Sequence, residues 1–122
     1  MLRNIPKIIP PELVKTMMEM GHSDVLIIAD ANFPGTAHAK KIIRMDGIMI
    51  PELLEAVLQL FPLDNFIENP VRLMRNLPTE PVPEIWETYR ELLEKNMIKM
   101  MPFTTLNLLT DFRFIKLQRR LL

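Results

Sequence analysis

Residues 25–29, Val-Leu-Ile-Ile-Ala, form an unbroken apolar run with a polar turn at each end. Gly21-His22-Ser23-Asp24 precedes it and Asp30-Ala31-Asn32-Phe33-Pro34 follows it. A short apolar run closed by turn signals reads as a strand buried on both faces. Strands of that kind belong to α/β folds, where helices cover the sheet and ligands gather at strand ends. His22 stands at the entry of this strand and Asp30 at its exit. Both can exchange protons or accept hydrogen bonds from a small polar ligand.

The flanking sequence supplies helices for such a sheet. Pro10-Pro11-Glu12 suits a helix start, since proline fits the first turn and an acid complements the dipole there. Leu13, Met17 and Met20 then share a face, and Gly21 is expected to end the helix in a left-handed conformation. Residues 31–41 read as a loop punctuated by Pro34-Gly35, Ile42-Ile43-Arg44 as a second short strand, and Asp46-Gly47 as a turn. Pro51 opens a helix to about residue 60, with Leu53, Leu54, Val57, Leu58 and Phe61 on one face. Pro70 opens a short helix with Val71, Met74 and Leu77 inward. Pro78, Pro81 and Pro83 stiffen a linker, and Glu84 begins a helix to about residue 95. Its apolar stripe is Ile85, Trp86, Tyr89, Leu92 and Leu93, and Glu91 and Lys95 are spaced to pair. The tail is expected to hold a strand at about 105–109 and a basic helix at about 112–121.

Charge and cysteine content exclude several classes. Fifteen basic residues balance fifteen acidic ones, so nothing electrostatic points to nucleic acid or an anionic membrane. The basic residues Arg113, Lys116, Arg119 and Arg120 read as a solvated helix face, because no other basic patch accompanies them. With no Cys there are no disulfides and no thiolate metal sites. His22 and His38 lack metal-ligand spacing, and three Gly cannot build a phosphate cradle. No apolar stretch is long enough to span a bilayer, and no secretory signal is visible, so a cytoplasmic protein is expected. A chain of 122 residues favours one domain, with 48% apolar residues to fill its core. Ten Met are read mainly as packing.

Taken singly, the polar residues have modest roles available. His22 after a helix can cap it or face solvent. Asp24 reads as a cap of the turn, Asp30 as an Asx-turn into Asn32, and Asp64 as a turn or N-cap residue. Met74 reads as core, and Arg44 with Asp46 as a surface pair of little energetic worth.

Several motifs in sequence order carry a resemblance. They are Pro11-Glu12-Leu13, Met20-Gly21-His22, Ile28-Ala29-Asp30 with Asn32-Phe33-Pro34, and Asp46-Gly47. Together they resemble the D-ribose pyranase and L-fucose mutarotase family, from about residue 2 to about residue 95. Residues 53–64, Leu-Leu-Glu-Ala-Val-Leu-Gln-Leu-Phe-Pro-Leu-Asp, are similar to its fucose branch. The resemblance implies a ribose-pyranase-like α/β fold, a mostly parallel sheet with helices packed on it. It implies homo-oligomeric rings, up to decamers, with pockets between neighbouring copies.

It also implies the chemistry: interconversion of the α and β anomers of L-fucose, or of a related pyranose, without a cofactor. His22 occupies the family's proton-transfer position, Asp30 and Asp64 its sugar-binding acids, and Met74 a wall of its pocket. From about residue 97 the pattern departs. An aromatic segment resembling Arg-Phe-x-Phe-Tyr is read here as Asp111-Phe112-Arg113-Phe114-Ile115, so Ile115 stands at the family's Tyr. The later Tyr-Gly-Asn turn has no counterpart, and residues 97–122 are expected to be divergent and incomplete. That leaves a second function open, a sugar-binding or assembly subunit with impaired chemistry.

Overall fold

The computed structural model describes residues 2–22, 24–61, 63, 71–74, 79–96, 107–109 and 114–118. In chain order the elements are α1 (Pro11–Glu19), β1 (Val25–Ala29), α2 (Gly35–His38), α3 (Ile50–Leu58), β2 (Val71–Met74), α4 (Ile85–Asn96), β3 (Asn107–Leu109) and β4 (Phe114–Gln118). The α/β class follows directly. Proline within the first turn starts both α1 and α3, and Glu12 and Glu52 lie in those turns as the dipole favours.

The four strands form one sheet in the order β1-β4-β2-β3. β4 runs antiparallel to both β1 and β2, and β2 is parallel to β3. The sheet is therefore mixed, where a mostly parallel one was expected. The reason lies in residues 114–118, which were expected to form a basic helix and instead form the strand β4, next to β1. A strand that enters between β1 and β2 in the opposite direction makes two of the three pairings antiparallel.

Two further elements differ from expectation. Residues 71–74 are strand, because Val71 and Leu73 are both buried and Arg72 between them is not, a period of two. Residues 42–44 form no strand. Ile42 is 43% exposed and turns back on Gly35, where an added Cβ would come within 3.3 Å of the Ile42 Cδ1. A side chain at position 35 would therefore require the exposed Ile42 to shift by a few tenths of an ångström. In the turn at Gly47, φ is +83°, a value that favours glycine.

Side chains from the helices and one sheet face make a single core. It joins Ile9, Leu13 and Met17 from the α1 region, Ile28 from β1, Leu54, Val57 and Leu58 from α3, Leu73 from β2, and Tyr89 and Leu93 from α4. Leu54 and Val57 are fully buried, and burying each such side chain is worth about 1.5–3 kcal/mol. α3 packs on α4 and on β1. Lys95 crosses from α4 to Glu55 of α3 at 3.1 Å, in place of the expected pairing with Glu91. β1 is covered on one face only. Ile28 is 4% exposed, whereas Val25 and Ile27 are 37% and 42% exposed. An apolar run alone does not reveal whether its second face is covered.

Candidate active site

α1 does not end on a left-handed glycine. Met20 leaves the helix extended, with φ −67° and ψ 131°, and Gly21 lacks a positive φ. Asp24 provides the closure instead. Its Oδ2 accepts the Gly21 N–H at 2.8 Å, and its own N–H donates to the Gly21 carbonyl at 3.2 Å. The capping role read for Asp24 is therefore the one its carboxylate performs. His22 sits inside this clasped turn, exposed to solvent, just before β1.

At the other end of β1, Asp30 is half-buried. Its Oδ1 accepts the Asn32 N–H at 2.9 Å, and its main-chain carbonyl accepts the Phe33 N–H at 3.1 Å. These bonds make the anticipated Asx-turn and fix the direction of the carboxylate. Oδ2 takes no hydrogen bond from the described residues and is available to a hydroxyl donor.

Tyr89 of α4 belongs to the same end. Its ring lies in the core, and its pKa is raised above the ordinary 10.0, first by burial and second by the negative charge of Asp30. The phenol is therefore neutral and keeps a proton that it can donate. The sequence reading had placed Tyr89 only in an apolar stripe. A signal was present: it is the one Tyr of the chain, and a buried Tyr carries a polar tip that needs a setting.

The remaining candidates are less fully placed. Asp64 lies outside the described residues. Met74 closes β2, one register step beyond the core residue Leu73. His22 and Asp30 do not meet within one chain. They flank opposite ends of β1, and four strand steps of about 3.3 Å separate its first and last Cα atoms by about 13 Å. His38 ends α2 and is exposed, its ring centroid 6.4 Å from that of Phe33. Arg44 and Asp46 do pair, at 3.0 Å, with both side chains more than 70% exposed. Such a pair adds little stability. Among the described residues no three His, Asp or Glu converge as a metal-ligand set, and no helix is long and apolar enough to cross a membrane.

Residues 3–117 match the model of the RbsD / FucU transport protein family. The chain is 40% identical over 114 residues to the fucose mutarotase of Mus musculus, an alignment covering 84% of this chain and 74% of that one. It is 44% identical over 102 residues to the fucose mutarotase of Danio rerio, covering 77% and 65% respectively. It therefore spans 65% to 74% of the length of these two relatives. Among solved structures it is similar to the fucose mutarotase in complex with L-fucose from Streptococcus pneumoniae. That comparison has a TM-score of 0.89, 34% identity and 99% coverage of both chains.

Proposed function

The chain belongs to the RbsD / FucU transport protein family and has the fold of the fucose mutarotases, and from that premise we propose that it interconverts the α and β anomers of L-fucose. The observation that carries this reading is the near-complete overlay on the Streptococcus pneumoniae enzyme, whose structure holds L-fucose.

The reaction needs little machinery. The anomeric hydroxyl loses a proton while the ring oxygen gains one, the ring opens, the carbonyl rotates, and the ring closes on its other face. No electrons change hands, so no redox cofactor enters. One well-placed acid or base contributes roughly 10²–10⁴-fold, which is useful for a step that already proceeds in water. In this reading His22 takes and returns the proton. The Oδ2 of Asp30, which takes no hydrogen bond from the described residues, accepts a sugar hydroxyl, and a bond to a charged acceptor is stronger than a neutral one. Tyr89 offers a neutral donor at that end, Asp64 holds a second part of the sugar, and Met74 is an apolar wall.

The separation of His22 from Asp30 bears on assembly. A homo-oligomeric ring with its pocket between neighbouring copies would set the His22 end of one β1 beside the Asp30 end of another. Exposed Leu2, Met18, Met49 and Val82, between 62% and 76% accessible, supply apolar surface for such contacts. A cytoplasmic location fits a sugar isomerase of this kind.

One residue favours a second reading, a sugar-binding subunit with impaired chemistry. Ile115, standing at the family's Tyr, has no proton to transfer; its strand register sets it opposite Ile28 and Leu73. Saturation-transfer NMR of L-fucose separates the two. Anomer exchange that rises with protein concentration supports the mutarotase. Exchange at the buffer rate, with saturable sugar binding, supports the second reading and overturns the first.

A further inference from the structure

Asp46 and Gly47 fill the middle of a four-residue turn, and both are exposed. The Ile48 N–H closes this turn on the Met45 carbonyl at 3.4 Å, a long bond. The Gly47 φ of +83° is the value that the third residue of a type II turn takes. The Gly47 N–H donates to no described residue, and beyond its chain neighbours nothing lies within 4 Å of where a Cβ would stand. An unhindered, unbonded main-chain nitrogen thus follows a carboxyl group, in a weakly closed turn.

An aspartyl carboxyl next to such a nitrogen can cyclise. The nitrogen attacks Asp46 Cγ, a C–N bond forms, and one carboxyl oxygen leaves as water with the amide proton and the carboxyl proton. The product is a five-membered imide. Water then adds to one of its two carbonyls. Addition at Cγ breaks the new bond and restores Asp46. Addition at the main-chain carbonyl breaks the original peptide bond. The chain then runs through the side chain, as an isoaspartyl residue with a free main-chain carboxylate. One water leaves and one enters, no electrons transfer, and solvent is the only co-reactant.

Arg44 stands against the first step. Its Nη2 donates to Oδ1 at 3.0 Å and its Nε to Oδ2 at 3.4 Å, so both candidate leaving oxygens are engaged. An oxygen in a charge-assisted bond to a guanidinium is poorly placed to take up the proton it needs to depart as water. A pair worth little to stability can therefore still govern a reaction of the group it binds. We propose that Asp46-Gly47 is a site of spontaneous isoaspartate formation, restrained by the Arg44 guanidinium. The inference is independent of the fucose reading, since it uses no residue assigned to the sugar site.

Incubating the full chain in heavy-oxygen water, in a warm and mildly acidic buffer, and mapping its peptides by mass spectrometry tests this. Each passage through the imide leaves one heavy oxygen on residue 46, and electron-transfer fragments tell isoaspartate from aspartate. Asp24 and Asp30 serve as controls, because Val25 and Ala31 follow them and a side chain there crowds the attacking nitrogen. Label and isoaspartate are expected at residue 46 ahead of both. Arg44→Ala should raise the rate at residue 46 roughly two- to fivefold, the range an exposed ion pair supports, with both controls unmoved. Arg44→Lys should fall between, and Asp46→Glu should take up little or no label there, because its imide would be a slower-forming six-membered ring. Labelling of residue 46 no faster than at the controls overturns the proposal. So does a rate in Arg44→Ala that is unchanged, or that rises equally at all three positions, because Arg44 would then restrain nothing or the variant would only have loosened the fold.

Discussion

The two ends of β1 are built differently. The entry is an exposed turn, clasped by the Asp24 carboxylate on the Gly21 amide and by the Asp24 amide on the Gly21 carbonyl, and His22 sits exposed within it. The exit follows the buried Ile28, and Asp30 there is half-buried, bonded at one oxygen by the Asn32 amide, with its charge felt by the Tyr89 phenol. One end leaves an imidazole exposed to solvent. The other holds a carboxylate in a fixed direction through the Asn32 amide. In the proposed reading, proton transfer and sugar recognition therefore fall on structurally separate supports.

The contrast predicts unequal responses to substitution. The largest concerns the strand itself. Ile28→Ala should cost about 2–5 kcal/mol in urea unfolding, because a cavity opens beneath the exit. Val25→Ala, on the open face near the entry, should stay within about 0.5–1 kcal/mol. Equal losses would mean the two ends are equally buried. Next, Asp30→Asn should weaken L-fucose binding by about 1.5–3 kcal/mol, or roughly 10–150-fold, with the fold kept. Sugar titrations giving unchanged affinity would remove Asp30 from recognition. Asp24→Ala should cost about 0.5–1.5 kcal/mol of stability, since one exposed charge-accepting bond is lost; thermal unfolding identical to wild type would show that the turn closes without it.

The smallest effect is spectroscopic. Tyr89 is the one Tyr of the chain, so tyrosinate absorbance reports it alone. Asp30→Asn should lower its pKa relative to wild type by removing the second cause of the shift, leaving it above 10.0 because burial, the larger cause, persists. The sign for stability follows. Folding raises this pKa, so the contribution is fully present below pH 10.0 and is lost as pH rises through the folded value. A titration unaltered by Asp30→Asn would separate the phenol from the carboxylate.

Much of this was legible in the sequence. α1, β1, α3 and α4 announced themselves through proline starts and apolar spacing, and Asp24 and Asp30 through turn chemistry. What escaped was decided by partners far along the chain. Val71 and Met74 are three apart and read as a helical face, while the burial of Val71 and Leu73 shows alternation. Four residues are too few for periodicity to arbitrate. Residues 114–118 alternate as well, with Ile115 and Leu117 at core registers, but the basic spacing through Lys116 suggested a helix. Tyr89's raised pKa comes from burial and then from the charge of Asp30, an influence across the fold that no local pattern encodes.

The division of labour between the two ends rests on His22 as the proton carrier. Saturation-transfer NMR at saturating L-fucose, run on the wild-type chain and on His22→Ala side by side, measures that role. The account predicts that exchange falls roughly 10²–10⁴-fold in the variant while sugar affinity is retained. Equal exchange in the two proteins contradicts it.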